Sequence, residues 1–169
     1  EILRCLVGSE MCIRDSIKLG LVTHGDIVDA DADYPTLTYN TIARHQSRIV
    51  RTRICSNLSP WLSLMNVGDI VNVPISHGEG RFIATAEWLK RLADNGQIAT
   101  QYVDLDGNPS SDVAFNPNNS DMAIEGITSP DGRVFGKMGH SERIDCGLYK
   151  NVVGNYDIRM FDSAVHYFK

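Results

Sequence analysis

The sequence predicts a single α/β or α+β domain that is built around a mixed β-sheet. Short apolar or alternating strand patterns outnumber helical patterns along the chain. The turn signal Ser129-Pro130-Asp131-Gly132 joins two of the strands directly, as expected for a β-hairpin. The chain has 169 residues, of which 43% are hydrophobic, so it is long enough for one substantial core. We therefore expect one domain in which a few helices flank the sheet.

Strand patterns occur along most of the chain. In VRTRI, Val50, Thr52 and Ile54 face one way and the two arginines the other, which is typical of a half-buried strand. DIVNVPIS is largely apolar and leads directly into the glycine-containing stretch HGEGRF. The predicted strands are LTYN (37–40), VRTRI (50–54), DIVNVPIS (69–76), QIATQYVD (97–104), MAIEGITS (122–129) and VFGKM (134–138).

Three stretches have helical patterns. IKLG (17–20) has the form of a last helical turn that is closed by Gly20. TAEWLKRLADNG (85–96) predicts a helix that Thr85 caps and Gly96 ends, with an apolar stripe formed by Trp88, Leu89 and Leu92. The third helix is expected near 157–168, where the apolar residues on one face are Met160, Phe161, Ala164, Val165 and Phe168.

Charge and hydropathy restrict the possible partners. Sixteen basic and 21 acidic side chains give a net charge of −5, which disfavours binding to nucleic acid or to anionic membranes. No stretch has the apolar length of a membrane span, and no signal-peptide pattern is present, so we expect a cytoplasmic protein. The four cysteines are scattered without paired spacing, which favours reduced thiols over a zinc site or a disulfide framework.

Two histidines are each followed two residues later by a glutamate: His77 with Glu79, and His140 with Glu142. Residues two apart on an extended segment lie on the same side, about 6.6 Å apart. A glutamate at that distance can orient the neighbouring imidazole, as the third member of a nucleophile–base–acid triad does. The pairs could also be structural, with each histidine simply hydrogen-bonded at a strand end.

The same four side chains also include the ligand types of a transition-metal site. Spacing alone does not separate that interpretation from the triad. The glycines of HGEGRF are typical of a loop with a close backbone approach, and no further histidine or cysteine is placed to complete a ligand set. We therefore predict no metal.

Long motifs resemble one enzyme family in order along most of the chain. The motifs are LTYNTIARHQSRIVRTRICSNLSPWL, ISHGEGRF, NGQIATQYVD, AIEGITSPDGRVFGKMGHSER and GLYKNV. They are similar to the C-terminal glutaminase domain of the phosphoribosylformylglycinamidine synthase family, from about Ile17 to the end. That domain is a triad (class I) glutamine amidotransferase. The resemblance implies an α/β fold with a class I glutamine amidotransferase-like mixed sheet flanked by helices, and a Cys-His-Glu triad.

The resemblance assigns roles to individual residues. The family's final motif is M-P-H-P-E-R; here Gly139 and Ser141 replace the prolines, while His140, Glu142 and Arg143 remain. His140 and Glu142 are thus the candidate catalytic base and its orienting acid. HGEGRF matches the family without change, so the resemblance makes His77, Glu79 and Arg81 candidates for substrate binding or for shaping the active-site loop.

The nucleophile is where this chain departs from the family. The family's Gly-x-Cys-Asn-Gly elbow should place its cysteine near Glu10, and Cys12 lies two positions later without the flanking glycines. We therefore predict that no nucleophile stands in the motif position and that Cys12 is an inert thiol. SEMCIRDS resembles a translated sequencing adapter, so we expect residues 1–16 to be non-native or disordered and the amidotransferase domain to occupy 17–169.

The resemblance also implies the partners of the intact enzyme. Its glutaminase part binds glutamine and releases ammonia to a synthetase region, on the same or a separate chain, which uses ATP and magnesium for amidine formation in purine biosynthesis. We expect no cofactor in this chain, because it contains no phosphate-cradling glycine loop. The intact parent is then an ATP-dependent, carbon–nitrogen bond-forming ligase, and this chain alone is predicted to be inactive. The alternative is a non-catalytic regulatory or docking module.

Overall fold

A computed structural model of the protein describes residues 6–8, 10–145 and 147–169. These residues form eight strands and three helices. The strands are β1 (Leu6–Gly8), β2 (Thr36–Thr38), β3 (Gln46–Ile54), β4 (Ile70–His77), β5 (Arg81–Ile83), β6 (Ile98–Tyr102), β7 (Ile124–Thr128) and β8 (Val134–Lys137). The helices are α1 (Glu10–Lys18), α2 (Ala86–Asp94) and α3 (Met160–Phe168). Short 3-10 turns lie at Pro60–Leu62 and Asp121–Ala123.

Six strands form one mixed sheet in the order β1-β8-β7-β6-β3-β4. Strand β1 runs parallel to β8, and every other neighbouring pair is antiparallel. Strands β2 and β5 form a separate antiparallel pair. The predicted mixed sheet with flanking helices is therefore confirmed, and so is the predicted hairpin β7–β8.

The main sheet is covered by hydrophobic residues on both faces. One cluster joins α1 and α2 to the sheet and contains Ile13, Ile17, Leu92 and Ile127. A second cluster joins the Pro60–Leu62 turn and α3 to the sheet through residues such as Phe135 and Met160. Because both faces are covered, chemistry that needs solvent access is restricted to the strand ends and the loops that follow them.

Several local predictions are confirmed. The Thr85 hydroxyl accepts a hydrogen bond from the Trp88 amide and caps α2, and Leu92 is completely buried. In β3 the buried side chains are Val50, Thr52 and Ile54, in the predicted alternation. Gly20 follows α1 with a φ of +87°, as a left-handed cap requires.

Part of the segment before residue 17, which the sequence predicts to be non-native or disordered, is helical. Helix α1 crosses the predicted boundary, and Ile13 is 2% exposed. Gly136 has no side chain, and this explains the close packing of Ile13. A Cβ at that glycine would lie 2.6 Å from an Ile13 side-chain carbon. Residues 1–5 and 9 lie outside the described residues. The division of the chain at residue 16 itself stays a prediction.

The expected apolar face of α3 is only partly buried. Met160 and Ala164 pack against the protein together with Ser163, whereas Phe161 and Val165 are exposed. Helix α3 contacts mainly the short Pro60–Leu62 turn, which is too small to cover the whole apolar stripe. Among the helices that the structure describes, none has the length and apolar character needed to cross a bilayer.

Candidate active site

The pair of His140 and Glu142 lies just beyond the end of β8. Strand β8 ends at Lys137, and His140 follows after two further residues. The backbone amide of His140 donates a hydrogen bond of 2.8 Å to the carbonyl of Pro74 in β4. The loop after β8 is thereby tied to β4, and only 10% of the His140 side chain is exposed.

The His140 imidazole is oriented by Glu142. Its Nδ1 lies 2.7 Å from Oε1 of Glu142, which confirms the hydrogen bond predicted from the spacing. Burial raises the pKa of Glu142, but hydrogen bonds from its backbone and from His140 outweigh burial, so the pKa of this carboxyl is lowered. The nearby Arg143 guanidinium, 3.7 Å from the same oxygen, acts in the same direction.

The other ring nitrogen of His140 is left unpaired. Nε2 is buried and has no hydrogen-bond partner in the described part of the chain. A carboxylate on Nδ1 favours the tautomer or charge state in which Nε2 exchanges a proton with a reacting group. This arrangement is the one that a general base requires.

The backbone of β1 and α1 leads to the same end of the sheet. Strand β1 is parallel to β8, and Gly8 pairs with Gly136. Strands β1 and β8 therefore end at the same edge of the sheet, and β8 leads from there to His140. Glu10, near which the resemblance to the family places the nucleophile cysteine, is the first residue of α1. A strand followed closely by a helix is the frame of a nucleophile elbow.

His77 lies at the end of β4 rather than on the following loop, so its predicted placement needs correction. The strand pairs with β3 as far as His77 itself, which faces Gln46 in the ladder. Its side chain is completely buried, and its pKa is lowered to about 4. Burial is the main cause; Glu125 opposes the shift, and a charge on His140 acts in the same direction as burial. His77 is therefore neutral at pH 7.

The buried His77 ring shapes the HGEGRF loop from below. A Cβ on Gly80 would lie 2.5 Å from Nδ1 of His77, so this glycine is required by the close approach of the ring. The amide of Gly80 also donates to Asn40, whose own amide group donates to the His77 carbonyl. These contacts hold both ends of the His77–Gly80 turn.

Glu79 and Arg81, the other two loop candidates, take part in different contacts. Glu79 is partly exposed and accepts a hydrogen bond of 2.8 Å from Nη1 of Arg14 in α1. Arg81 lies in β5 and donates from Nε to the Asn119 carbonyl at 3.2 Å. Glu79 therefore faces α1, whereas Arg81 is engaged by the loop before β7.

Among the described residues, no group of three or more His, Cys, Asp or Glu side chains is arranged to hold a metal ion. Burial raises the pKa of the Cys55 thiol, which contacts Gln101 and does not have the character of a nucleophile. The backbone of Cys12 lies in α1, while its side chain, Cys5 and Cys146 lie outside the described structure.

Sequence reasoning missed a buried ion pair beneath His140. Glu125 in β7 and Lys137 in β8 are 1% and 2% exposed, and Nζ of Lys137 lies 3.5 Å from Oε1 of Glu125. The sequence does contain an indication of this pair, because each of the two charged residues interrupts an otherwise apolar strand of the predicted hairpin. A charge at such a position needs a partner, and the two strands are neighbours.

The fold and this site define a glutamine amidotransferase domain. Residues 16–168 match the family model for the CobB/CobQ-like glutamine amidotransferase domain, and the chain belongs to that family. The similar proteins of known name point to one enzyme within this family. The phosphoribosylformylglycinamidine synthase subunit PurQ of Thermomicrobium roseum is 41% identical over 108 residues, which cover 64% of this chain and 43% of the relative.

A second relative and a solved structure are also similar to this chain. The phosphoribosylformylglycinamidine synthase of Saccharomyces cerevisiae is 33% identical over 158 residues, covering 82% of this chain and 12% of that protein. A solved structure, that of PurLQS from Thermotoga maritima, shares the fold with a TM-score of 0.69 at 23% identity, covering 98% of this chain and 62% of that chain. The chain thus spans less than half the length of these two curated relatives.

Proposed function

We propose that this chain is the glutaminase part of a phosphoribosylformylglycinamidine synthase. In the intact enzyme it would release ammonia from glutamine, and the ammonia would be used for ATP-dependent amidine formation in purine biosynthesis. The family membership and the names of the relatives support the assignment. A single structural observation carries the chemistry: His140 has its Nδ1 bound to Glu142 and its buried Nε2 unpaired, at the end of the sheet where β1 also ends.

The proposed reaction begins with a cysteine thiol at the elbow, which the family motif places near Glu10. His140 would take the thiol proton as the sulfur attacks the side-chain amide carbon of glutamine. The same proton would pass to the departing nitrogen as the carbon–nitrogen bond breaks and ammonia leaves. Water would then hydrolyse the thioester to glutamate. Throughout these steps Glu142 would orient the imidazole and stabilise its charged form.

In this proposal the chain as given is inactive. No cysteine stands in the motif position near Glu10, and the loss of a triad nucleophile reduces the rate by about 10⁶-fold. The family match covers residues 16–168 and leaves out residues 1–15, which supports the inference that the segment before Ile17 is foreign to the domain and that the domain occupies about 17–169.

The proposed partners follow from the same assignment. Glutamine is the substrate of this domain, and a synthetase region, on the same or a separate chain, is its partner. The relative from Thermomicrobium roseum is named as a subunit, whereas the yeast relative covers the matched region with 12% of one long chain. Both arrangements therefore occur among proteins similar to this one. ATP and magnesium would be bound by the synthetase region.

A non-catalytic docking or regulatory module is the second candidate. The backbone observation that favours it is the strand–helix frame of β1 and α1, which is retained with Glu10 near the nucleophile position. Against it, a natural pseudoenzyme would also keep a recognisable elbow sequence around the replaced cysteine, and residues 9–12 here, SEMC, do not resemble one. An independently obtained copy of the gene decides between the two, because a Gly-x-Cys-Asn-Gly elbow upstream of codon 17 would exclude the module.

The function itself is tested by repairing the elbow. Residues 1–16 are replaced with a family-like strand and a Gly-x-Cys-Asn-Gly elbow, and ammonia release from glutamine is measured. The same graft with serine in place of the elbow cysteine is the matched control. We expect turnover from the cysteine graft and none from the serine graft or the unmodified chain. Ammonia release by the unmodified chain that is lost on Cys12→Ser would contradict the proposal.

A further inference from the structure

Lys137 binds the residues on both sides of His140. Its buried Nζ donates to the Gly139 carbonyl at 3.1 Å and to the Ser141 hydroxyl at 2.9 Å. A lysine ammonium has three protons to donate, and these two contacts use two of them. The backbone before His140 and the side chain after it are thus held by one group.

Glu125 completes this arrangement from the neighbouring strand. Its Oε1 accepts the Gly139 amide proton at 2.5 Å and lies 3.5 Å from Nζ of Lys137, and its Oε2 accepts the Thr100 hydroxyl. The groups of Thr100, Glu125, Lys137 and Gly139 that make these hydrogen bonds are all buried. Hydrogen bonds that involve charged groups in such a place are stronger than neutral ones. The loop therefore rests on an ion pair between β7 and β8.

The two residues that Lys137 contacts are those at which this chain departs from the M-P-H-P-E-R motif. Proline restricts the backbone, whereas glycine leaves it free and serine restricts it little. Proline does not fit at position 139 here, because the Gly139 amide donates to Glu125 and a Cβ would lie 2.5 Å from Val73. The contacts of Lys137 restrain the same two positions by hydrogen bonds instead.

We propose that Lys137 is a positioning residue, which holds the Gly139–Ser141 segment so that Nδ1 of His140 stays on the Glu142 carboxylate. Lys137 does not touch the reacting atoms. The catalytic meaning of this role rests on the proposed function, since it requires that His140 is the base. The geometric role is independent of activity and can be measured in the chain as it is.

The readout is the NMR signal of the proton between Nδ1 of His140 and Glu142. A proton in a short, partly buried hydrogen bond exchanges slowly and resonates downfield, so it reports on this contact directly. The signal is assigned by its loss in His140→Ala. In Lys137→Met we expect the signal to disappear, because the loop samples orientations in which the imidazole leaves the carboxylate.

Three further variants separate positioning from simple loss of stability. Lys137→Met leaves the Glu125 carboxylate unpaired, whereas Glu125→Gln/Lys137→Met removes both charges, so the double variant should regain melting temperature without regaining the signal. Ser141→Ala keeps the ion pair and removes one contact, and we expect its signal to broaden. Lys90→Met is the matched control, because this lysine is exposed on α2 and its loss should leave the signal unchanged.

Persistence of the signal at full intensity in folded Lys137→Met, or in the double variant, would overturn the proposal. If both of these variants fail to fold, Ser141→Ala decides alone, and an unchanged signal there would overturn it as well. The proposed function fails separately. If the repaired chain releases no ammonia while the NMR signal responds as expected, Lys137 positions a histidine that is not a catalytic base.

Discussion

The stability of this protein should fall steeply in mild acid because of one buried histidine. Burial lowers the pKa of His77 from its ordinary value of 6.5 to about 4 in the folded chain. Between these two values the unfolded chain binds a proton that the folded chain does not. The stabilisation that the neutral His77 contributes is therefore fully present above pH 6.5, and it is lost as the pH falls from 6.5 towards 4.

The size of the effect follows from the two pKa values. The difference between 6.5 and about 4, at about 1.4 kcal/mol for each pH unit, gives about 3 kcal/mol in total. About 2 kcal/mol of this should already be lost between pH 7 and pH 5, since the folded chain stays unprotonated there. Such a loss is a large fraction of the stability of an ordinary domain.

Urea unfolding at pH 7, 6 and 5 measures this slope, and His77→Gln removes the titrating group. The glutamine variant should start from a lower stability at pH 7 but lose about 2 kcal/mol less on going to pH 5. His24→Gln is the matched control, because burial also lowers the pKa of His24, whose ring is only partly buried. Parallel losses in wild type and His77→Gln would refute the reasoning.

Other substitutions test the packing around the site. Gly80→Ala should destabilise the protein by about 1–3 kcal/mol in chemical denaturation, because the new methyl group meets the ring below it, whereas Gly78→Ala in the same loop meets nothing within 4 Å and should be nearly neutral. Leu92→Ala should lower the free energy of unfolding by about 2–5 kcal/mol, and Leu105→Ala, at an exposed leucine, by less than about 0.5 kcal/mol. Ile13→Ala should cost about 2 kcal/mol or more if α1 packs as described, and equal stability of this variant and wild type would show that α1 adds nothing to the core.

Local sequence patterns were sufficient for much of the fold. The alternation in VRTRI and the Thr85 cap of α2 depend on contacts between near neighbours, and both are confirmed. The His140–Glu142 hydrogen bond is equally local, since the residues are two apart. Features that depend on short separation along the chain could therefore be predicted without a structure.

Features that depend on distant parts of the chain could not. The burial of His77 requires the Asn118 loop and Gly80 around it, and the ion pair of Lys137 with Glu125 depends on the register of the β7–β8 hairpin. The packing of Ile13 depends on the small surface of Gly136 in a strand far along the sequence. Periodicity reports which side of an element is apolar and gives no register between elements.

The central claim is that His140 acts as the base of a glutaminase and that Glu142 orients it. The most direct measurement is the turnover of glutamine by the elbow-repaired chain with His140→Ala, beside His45→Ala at an exposed histidine as the matched control. We predict that His140→Ala lowers turnover by at least about 10²-fold while His45→Ala leaves it within about twofold. Turnover by His140→Ala that equals that of the repaired parent would contradict the account.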